Sequence, residues 1–493
     1  MTDDDVAHGD TGVAPLGGLS AEAVREALHA MQSADLPVHG GRTLAYVYDS
    51  GLAEADALGL EALAMFAGSN GLDPTAFPSL ARMENDLVAM AGAFLDAPEG
   101  YAGSVTSGGT ESILLAVLAA RDGATGVPEG MLPSMVLPST AHAAFLKAAK
   151  FFGVRAVVVE VDPVTLKADV AATEAAIDET TVLLVGSAPS YAHGVIDPIP
   201  ELAAIATAHG IRCHVDACIG GWVLPHLDDV PPWTFEVEGV TSVSVDLHKY
   251  AYTPKGVSIL LHRTAALRRS HFFASADWPG YTMLNTTMQS TKSGGPLAAA
   301  WAVTHRIGAA GYRDLAAQAR RATLDLADAV REVDGLRVFA EPESTLLALA
   351  TDGSCDVFTL ADEMLARGWF VQPQLSYHDL PATLHLTLSA ATAPSVPDFV
   401  MALQEATSVA REAGPVRIDP ALAGLVTSLD PSTLDEAGFA ALLAAAGLAG
   451  EDGGVALPEQ MAPINALLDV CPPALREVLL TGVLDLLSRP TRS

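Results

Sequence analysis

Residues 244–250 read Ser-Val-Asp-Leu-His-Lys-Tyr, a short apolar strand followed almost at once by a lysine. The end of a buried strand is an unusual place for a solvated charge. Burial lowers the pKa of a lysine and makes its amine a nucleophile that forms Schiff bases. We therefore predict that Lys249 is a Schiff-base lysine, although the pattern taken alone also fits a surface lysine at a strand end.

Short β-branched runs alternate with helical segments on both sides of this stretch, from about residue 101 to residue 262. The predicted strands cover residues 135–137, 156–161, 182–186, 211–215, 242–245 and 258–261. Helical patterns lie between several of these strands, which predicts an α/β unit with a mostly parallel sheet. Ligands bind at the carboxyl ends of the strands in such sheets, so functional residues should follow the strands directly.

A second stretch, Val-Thr-Ser-Gly-Gly-Thr-Glu-Ser at residues 105–112, leads from a strand through two glycines into a helix. Glycines allow backbone N–H groups to approach a ligand closely, and a helix start offers free donors and the positive end of its dipole. The stretch therefore predicts a phosphate site. The same residues also fit a simple helix N-cap.

A third stretch, His-Val-Asp-Ala-Cys at residues 214–218, places Asp216 at the end of an apolar strand. A buried carboxylate without a partner is costly, so Asp216 needs one. The ring nitrogen of pyridoxal phosphate (PLP) is such a partner, because a carboxylate there keeps the ring protonated and able to accept electrons. A tie to His214 or to a helix N-terminus is the alternative.

The order of the three stretches favours PLP as the cofactor. The phosphate loop comes first, then Asp216, and Lys249 follows 33 positions later, about the length of one βαβ unit. His142 begins a helix between the loop and Asp216, where its ring could stack on the pyridine, and His248 would lie beside the cofactor phosphate.

The bulk composition restricts the other function classes. A formal charge of -32 repels nucleic acids and anionic lipid surfaces, so neither is an expected partner. The four cysteines have no metal-binding spacing and are expected to be reduced thiols. The N-terminus resembles no signal peptide, and no apolar run is long enough to span a bilayer. We expect a cytoplasmic protein.

Changes of pattern along the 493 residues predict four segments. These are an N-terminal segment (1–60), a large PLP-binding domain (61–308), a small α/β domain (309–413) and a helical tail (414–493).

At the motifs above, the sequence resembles the group II PLP-dependent decarboxylases and, within them, the sphingosine-1-phosphate lyases. The matching stretches are VTSGGTESILLA (105–116), STAHAAFLKAAKFFG (139–153), HGVIDPIPELA (193–203), HVDACIGGW (214–222) and VTSVSVDLHKYAYTPKG (240–256). The resemblance implies an aspartate-aminotransferase-like fold with a seven-stranded sheet, and a homodimer with active sites at the subunit interface. It gives no metal.

The resemblance also assigns roles to single residues. Lys249 would carry the cofactor, Asp216 would pair with the pyridine nitrogen, and His142 would stack on the ring. Gly109, Thr110 and His248 would hold the phosphate. Further catalytic candidates are Lys255, His193 and Tyr48, with Tyr46 close enough to compete with Tyr48.

Three positions depart from the lyase pattern, all where the substrate should bind. Asp73 stands where the lyases have a histidine, Asn285 where they have a serine, and Lys292 where they have an arginine. A carboxylate repels a phosphate dianion, so a phosphorylated substrate is in question.

The expected reaction is carbon–carbon cleavage of an amino alcohol by retro-aldol chemistry, with amino-acid decarboxylation as the alternative. A transaminase is disfavoured because the small domain offers no clear carboxylate-binding arginine. A non-catalytic partner protein with the same fold is disfavoured by the intact set of Lys249, Asp216 and His142.

Overall fold

The computed structural model describes residues 18–281, 283–448, 450 and 458–489. Its centre is a seven-stranded sheet in the order β1-β7-β6-β5-β4-β2-β3. The strands are β1 (Ala102–Thr106), β2 (Ser134–Pro138), β3 (Arg155–Val159), β4 (Thr181–Ser187), β5 (Arg212–Asp216), β6 (Ser242–Asp246) and β7 (Ser258–His262). Of the seven strands, β7 runs opposite to the other six. The predicted mostly parallel α/β sheet is confirmed.

Helices precede, cover and connect these strands. They are α1 (Ala21–Gln32), α2 (Ala53–Met65), α3 (Pro78–Phe94), α4 (Gly109–Asp122), α5 (Ala144–Phe152), α6 (Val170–Ala175), α7 (Ile199–His209) and α8 (Ala265–Arg269). The first helix begins where its sequence indicates, because the Ser20 hydroxyl accepts a hydrogen bond from the N–H of Ala23 at 3.1 Å. No residue of α1 is buried.

A hairpin of β8 (Phe273–Ser275) and β9 (Met283–Asn285) leads to the long helix α9 (Gly294–Arg331), which is interrupted at Gly308. A second, antiparallel sheet follows in the order β10-β11-β13-β12. Its strands are β10 (Leu336–Val338), β11 (Leu346–Thr351), β12 (Gln372–Gln374) and β13 (Thr383–Thr387), packed with α10 (Val357–Ala366) and α11 (Val396–Ala413).

Four helices form what we call the C-terminal unit: α12 (Pro420–Ser428), α13 (Glu436–Ala445), α14 (Ala462–Val470) and α15 (Pro473–Leu487). Its small core includes Val426, Leu442, Cys471 and Leu475. On α9, the residues up to Ala319 pack into the core of the large sheet, and those from Ala322 onward pack into the core of the small sheet. The predicted division into four segments stays a prediction.

All four cysteines are free, buried thiols, as expected for reduced cysteines. Within the described ranges, no helix combines the length and the apolar character needed to cross a membrane.

Candidate active site

A cavity of about 460 Å³ opens at the carboxyl ends of β1, β4, β5 and β6. Seven of the predicted site residues line it: Gly109, Thr110, His142, Asp216, His248, Lys249 and Lys255. The strand-end rule explains this convergence, since the carboxyl ends of parallel strands meet at one edge of the sheet. Ser107, Glu111, Ser187, Tyr191, Cys218 and Asp246 also line the cavity, and sequence reasoning gave them no role there.

Lys249 forms an ion pair inside this cavity. Its Nζ lies 2.9 Å from Oδ2 of Asp246, a buried carboxylate that also accepts a hydrogen bond from the Ser258 hydroxyl at 2.5 Å. Burial by itself lowers the pKa of Lys249, but Asp246, together with Tyr48 and Cys218, outweighs burial and raises that pKa. The expectation of a lowered lysine pKa was therefore wrong for the chain without its cofactor, because the sequence argument gave Asp246 no part.

Asp216 is buried at the end of β5. Its Oδ1 accepts the N–H of Cys218 at 3.0 Å and the hydroxyl of Ser244 at 3.4 Å. His214 does not bond Asp216 directly, because its ring nitrogens pair with the hydroxyls of Ser242 (2.8 Å) and Ser244 (3.2 Å). Within the described part of the chain, Oδ2 of Asp216 has no hydrogen-bond donor, so it can receive one from a ligand.

The phosphate loop has free donors at the start of α4. The first helical hydrogen bond runs from the N–H of Ser112 to the carbonyl of Gly108, so the N–H groups of residues 109–111 have no acceptor within the helix. Glu111 holds the loop in place, because its Oε2 accepts the N–H and hydroxyl of Ser107 at 2.6 and 2.8 Å. The other oxygen, Oε1, accepts the N–H of Met288 at 2.7 Å.

Replacement of Gly109 by alanine is expected to weaken PLP binding at least tenfold. A Cβ atom at this position would lie 2.8 Å from both Cys218 Sγ and Asp246 Oδ2, so the loop or the buried Asp246 would have to shift. Titration of the cofactor-free protein, followed by absorbance of bound PLP, measures the change. The control is Ala124→Gly, in the loop after α4. Gly126→Ala is unsuitable as a control because φ at Gly126 is positive, which alanine rarely adopts. Equal PLP affinities in the wild type, Gly109→Ala and Ala124→Gly would contradict the prediction.

The two histidines next to the cavity are held in fixed orientations. His142 is exposed, and its Nδ1 accepts the N–H of Ala144 at 3.1 Å. His248 Nδ1 pairs with the carbonyl of Val257 at 3.1 Å, and its Nε2 lies 3.7 Å from Asp246 Oδ2. Burial lowers the pKa of His248, while the Asp246 carboxylate acts in the opposite direction; a phosphate beside Nε2 would further favour the protonated ring, which could donate a hydrogen bond to it.

Lys255 lines the cavity and lies beside Tyr48, which does not line it. Lys255 Nζ donates to the carbonyls of Tyr46 (2.9 Å) and His248 (3.3 Å) and lies 5.3 Å from the centre of the Tyr48 ring. Burial, with the nearby Lys249, lowers the pKa of Lys255, and burial raises the pKa of Tyr48. The Tyr46 hydroxyl instead pairs with Gln372, away from this pair.

The structure does not bring His193 into the wall of the cavity. Its buried ring packs against Phe339, with 5.6 Å between ring centres. Tyr191, two residues earlier, lines the cavity and stacks on His385 at 4.0 Å. A polar loop directly after β4 was the available signal, but the choice between its aromatic residues depends on how the loop turns.

The three departures from the lyase pattern come together in a second cavity of about 680 Å³, lined by Asp73, Asn285 and Lys292. The Asp73 carboxylate accepts the N–H and hydroxyl of Thr75, and these bonds lower its pKa. Lys292 is ion-paired with Glu84. A smaller space of about 210 Å³ is lined by Ser107, which also lines the first cavity, and by Lys292, which also lines the second.

Fully buried histidines make stability sensitive to acid. Burial lowers the pKa of His214 from 6.5 to about 4 and that of His385 to about 3, so the folded chain keeps both neutral while the unfolded chain protonates them. Their contribution is complete above pH 6.5 and is lost as the pH falls towards 4. Between pH 7.5 and 5, each should lower the free energy of unfolding by roughly 2 kcal/mol.

Urea unfolding of the cofactor-free protein at the two pH values tests this expectation. The variant His385→Gln should lose less stability between pH 7.5 and 5 than the wild type. The exposed His305→Gln serves as control, and equal losses in all three proteins would show that the buried ring does not carry the effect.

The residues around the first cavity fit PLP. The start of α4 with its free N–H donors, the buried Asp216 carboxylate with an oxygen that accepts no hydrogen bond in the described part of the chain, and the Lys249 amine all line this one cavity. The fold and this site together are those of a PLP-dependent enzyme.

Comparison with known proteins supports PLP as the cofactor. Residues 43–350 match the pyridoxal-dependent decarboxylase conserved domain, and residues 420–486 match the pyridoxal-dependent enzyme C-terminal putative helix-turn-helix (HTH) domain. The chain belongs to the pyridoxal-dependent decarboxylase family. It is 36% identical to the sphingosine-1-phosphate lyases of Dictyostelium discoideum (76% of this chain, 70% of the relative) and of Arabidopsis thaliana (82% and 75%). A solved Burkholderia pseudomallei sphingosine-1-phosphate lyase is 35% identical, with a TM-score of 0.76 over 81% of this chain and 93% of the other.

Proposed function

We propose that this enzyme cleaves the bond between an amino-bearing and a hydroxyl-bearing carbon, releasing an aldehyde and an amine, as expected of a sphingosine-1-phosphate lyase. The observation that carries the proposal is the single cavity lined by Lys249, Asp216, His142 and the Gly109 loop, in a chain 36% identical to such lyases. PLP, when bound, supplies an acceptor for the electron pair of the broken bond.

Binding and orientation of the cofactor, and proton transfer, are assigned to separate residues of the chain. Asp216, through its open oxygen, holds a proton at the cofactor ring nitrogen. The helix-start N–H groups of Gly109 and Thr110, together with His248, hold the phosphate. His142, with its ring fixed by the Ala144 N–H, orients the cofactor ring. Lys249 binds the cofactor and moves protons at its Nζ, and Asp246 positions that nitrogen.

Lys255 and Tyr48 are the proposed groups that move the substrate hydroxyl proton. The pKa of Lys255 is lowered, so at a given pH a larger fraction of its amine is unprotonated and available as a base than in an ordinary lysine. The raised pKa of Tyr48 keeps its hydroxyl protonated as a donor. His193 has no proposed contact with the reacting atoms because it lies behind the cavity wall.

The proposed assembly is a homodimer in the cytoplasm, with each site at the subunit interface. The segment from β8 to α9 supports this arrangement, because it exposes large apolar side chains, of which Tyr281 and Leu284 line the second cavity: Phe273, Trp278, Tyr281, Leu284 and Met288. Clustered exposed apolar surface of this kind marks interaction sites.

An assay with sphingosine-1-phosphate tests the proposal. The PLP-loaded protein is incubated with the substrate, and mass spectrometry follows both the long-chain aldehyde and phosphoethanolamine. Both products are expected, and both should be missing with Lys249→Ala. Their absence from the PLP-loaded wild type would contradict the lyase proposal for this substrate.

Amino-acid decarboxylation is the second candidate. The carboxylates of Asp73 and Glu84 favour it over cleavage of a phosphorylated substrate, because they oppose a phosphate in the second cavity, where Lys292 is already paired. A screen of amino acids for carbon dioxide release separates the two reactions.

A further inference from the structure

The C-terminal unit has no role in the proposed chemistry. It matches a putative HTH domain, a motif that binds DNA in many proteins, but its charge argues against DNA binding. Residues 420–486 contain nine acidic residues and one basic residue, Arg476. A DNA-binding helix neutralises phosphates with lysine and arginine. The outer face of α15 instead exposes Leu480, Leu484 and Leu487. The excess of acidic over basic residues repels a phosphate backbone, and the exposed leucines offer it no cation.

Helix α14 of the unit makes polar contacts with α10, which packs on the small sheet. Asp362 of α10 accepts the N–H groups of Met461 and Ala462 at 3.1 and 2.8 Å and so caps the start of α14. Ala462 and Ala466 of the same helix are buried in the core of the small sheet. Helix α14 is therefore anchored at one end on α10.

At its other end, α14 holds the segment that leaves β12. Oδ1 of Asp469 accepts both the N–H of Ser376 at 2.6 Å and its hydroxyl at 2.8 Å. Two residues before Ser376, the Gln374 side-chain amide donates to the carbonyl of Ala192 at 2.9 Å and to the Thr383 hydroxyl at 3.0 Å. Ala192 directly follows Tyr191, which lines the cofactor cavity.

We infer that the C-terminal unit positions the Tyr191 loop of the cofactor site through Asp469, Ser376 and Gln374. Asp469 is a positioning residue in this arrangement, since it contacts neither cofactor nor substrate. A displacement of about 1 Å at a catalytic site can cost far more activity than stability, so a short chain of bonds suffices for an effect. The inference rests on the proposed function, because it gives Tyr191 a place at the working site.

The test compares Asp469→Ala with Asp430→Ala in the full-length, PLP-loaded protein. The two carboxylates are matched: Oδ1 of Asp430 also accepts a serine N–H and hydroxyl, those of Ser432 at 2.9 and 2.8 Å, but Asp430 is exposed within the C-terminal unit. The first readout is the visible circular dichroism of bound PLP, which needs no substrate. The second is the kcat and KM of the lyase reaction.

Asp469→Ala should change the circular dichroism band and lower kcat about tenfold with a smaller change in KM, while Asp430→Ala leaves both unchanged. Asp469→Asn, which keeps one acceptor oxygen, should lie between Asp469→Ala and the wild type. Identical spectra and kinetics for Asp469→Ala and Asp430→Ala would overturn the inference.

A second variant covers the case in which Asp469→Ala does not fold. Gln374→Glu is nearly isosteric but cannot donate to the Ala192 carbonyl, so it should produce the same spectral change; an unchanged spectrum would overturn the inference. If the wild type binds PLP but shows no lyase activity, the proposed function fails, and the spectral comparison still decides the positioning role.

Discussion

Replacement of Lys249 by alanine is expected to lower the rate of the proposed reaction by about 10³-fold or more, because the amine that binds the cofactor and transfers protons is lost. The same change leaves the buried Asp246 without its cation. Breaking a buried ion pair in this way costs about 3–5 kcal/mol of stability. Activity and the melting temperature of the cofactor-free protein should therefore both fall.

A double variant separates the two effects. Lys249→Ala with Asp246→Ala removes the unpaired carboxylate, so it should recover most of the lost melting temperature and none of the activity. If activity returned together with stability, Lys249 would have a structural role only. If the single variant kept its melting temperature, the ion pair seen between Nζ and Oδ2 at 2.9 Å would not contribute to stability.

The second large effect is expected for Asp216→Asn, which should lower kcat about 10²-fold with little loss of stability. Asparagine has nearly the same shape and can still accept the Cys218 N–H at Oδ1. It carries no charge, however, and cannot hold a proton at the cofactor nitrogen. The measurement is kcat together with PLP affinity.

Asp178→Asn is a suitable control for loss of a carboxylate charge. Asp178 is half exposed, accepts hydrogen bonds from Thr180 and Arg155, and lies away from the cofactor cavity. Asp178→Asn should leave kcat unchanged. An Asp216→Asn enzyme with wild-type kcat would show that the ring nitrogen needs no charged partner.

Much of the sheet was predictable because β-branched runs and helical periodicity are local properties. The predicted strand at 242–245 lies within β6 (Ser242–Asp246), and that at 258–261 lies within β7 (Ser258–His262). The grouping of Gly109, Asp216 and Lys249 was predictable for a related reason. Each follows a strand, and the rule that parallel strands end at one edge of the sheet brings such residues together.

The pKa of Lys249 was not predictable from burial alone. Its partner Asp246 is only three positions away, but the sequence does not say whether that carboxylate points towards the amine or away from it. The same limit applies to the loop after β4. Whether Tyr191 or His193 faces the cavity depends on backbone angles that neither composition nor spacing fixes.

By itself, the sequence determined the α/β class, the cofactor and the residues at the strand ends, because these follow from local patterns and from one rule about parallel sheets. Only the tertiary structure brought Asp73, Asn285 and Lys292 into one cavity and joined Asp469 to Ser376. Asp73 lies 212 positions before Asn285, and Asp469 lies 93 positions after Ser376. Such contacts depend on how whole elements pack, and no local pattern in the chain records them.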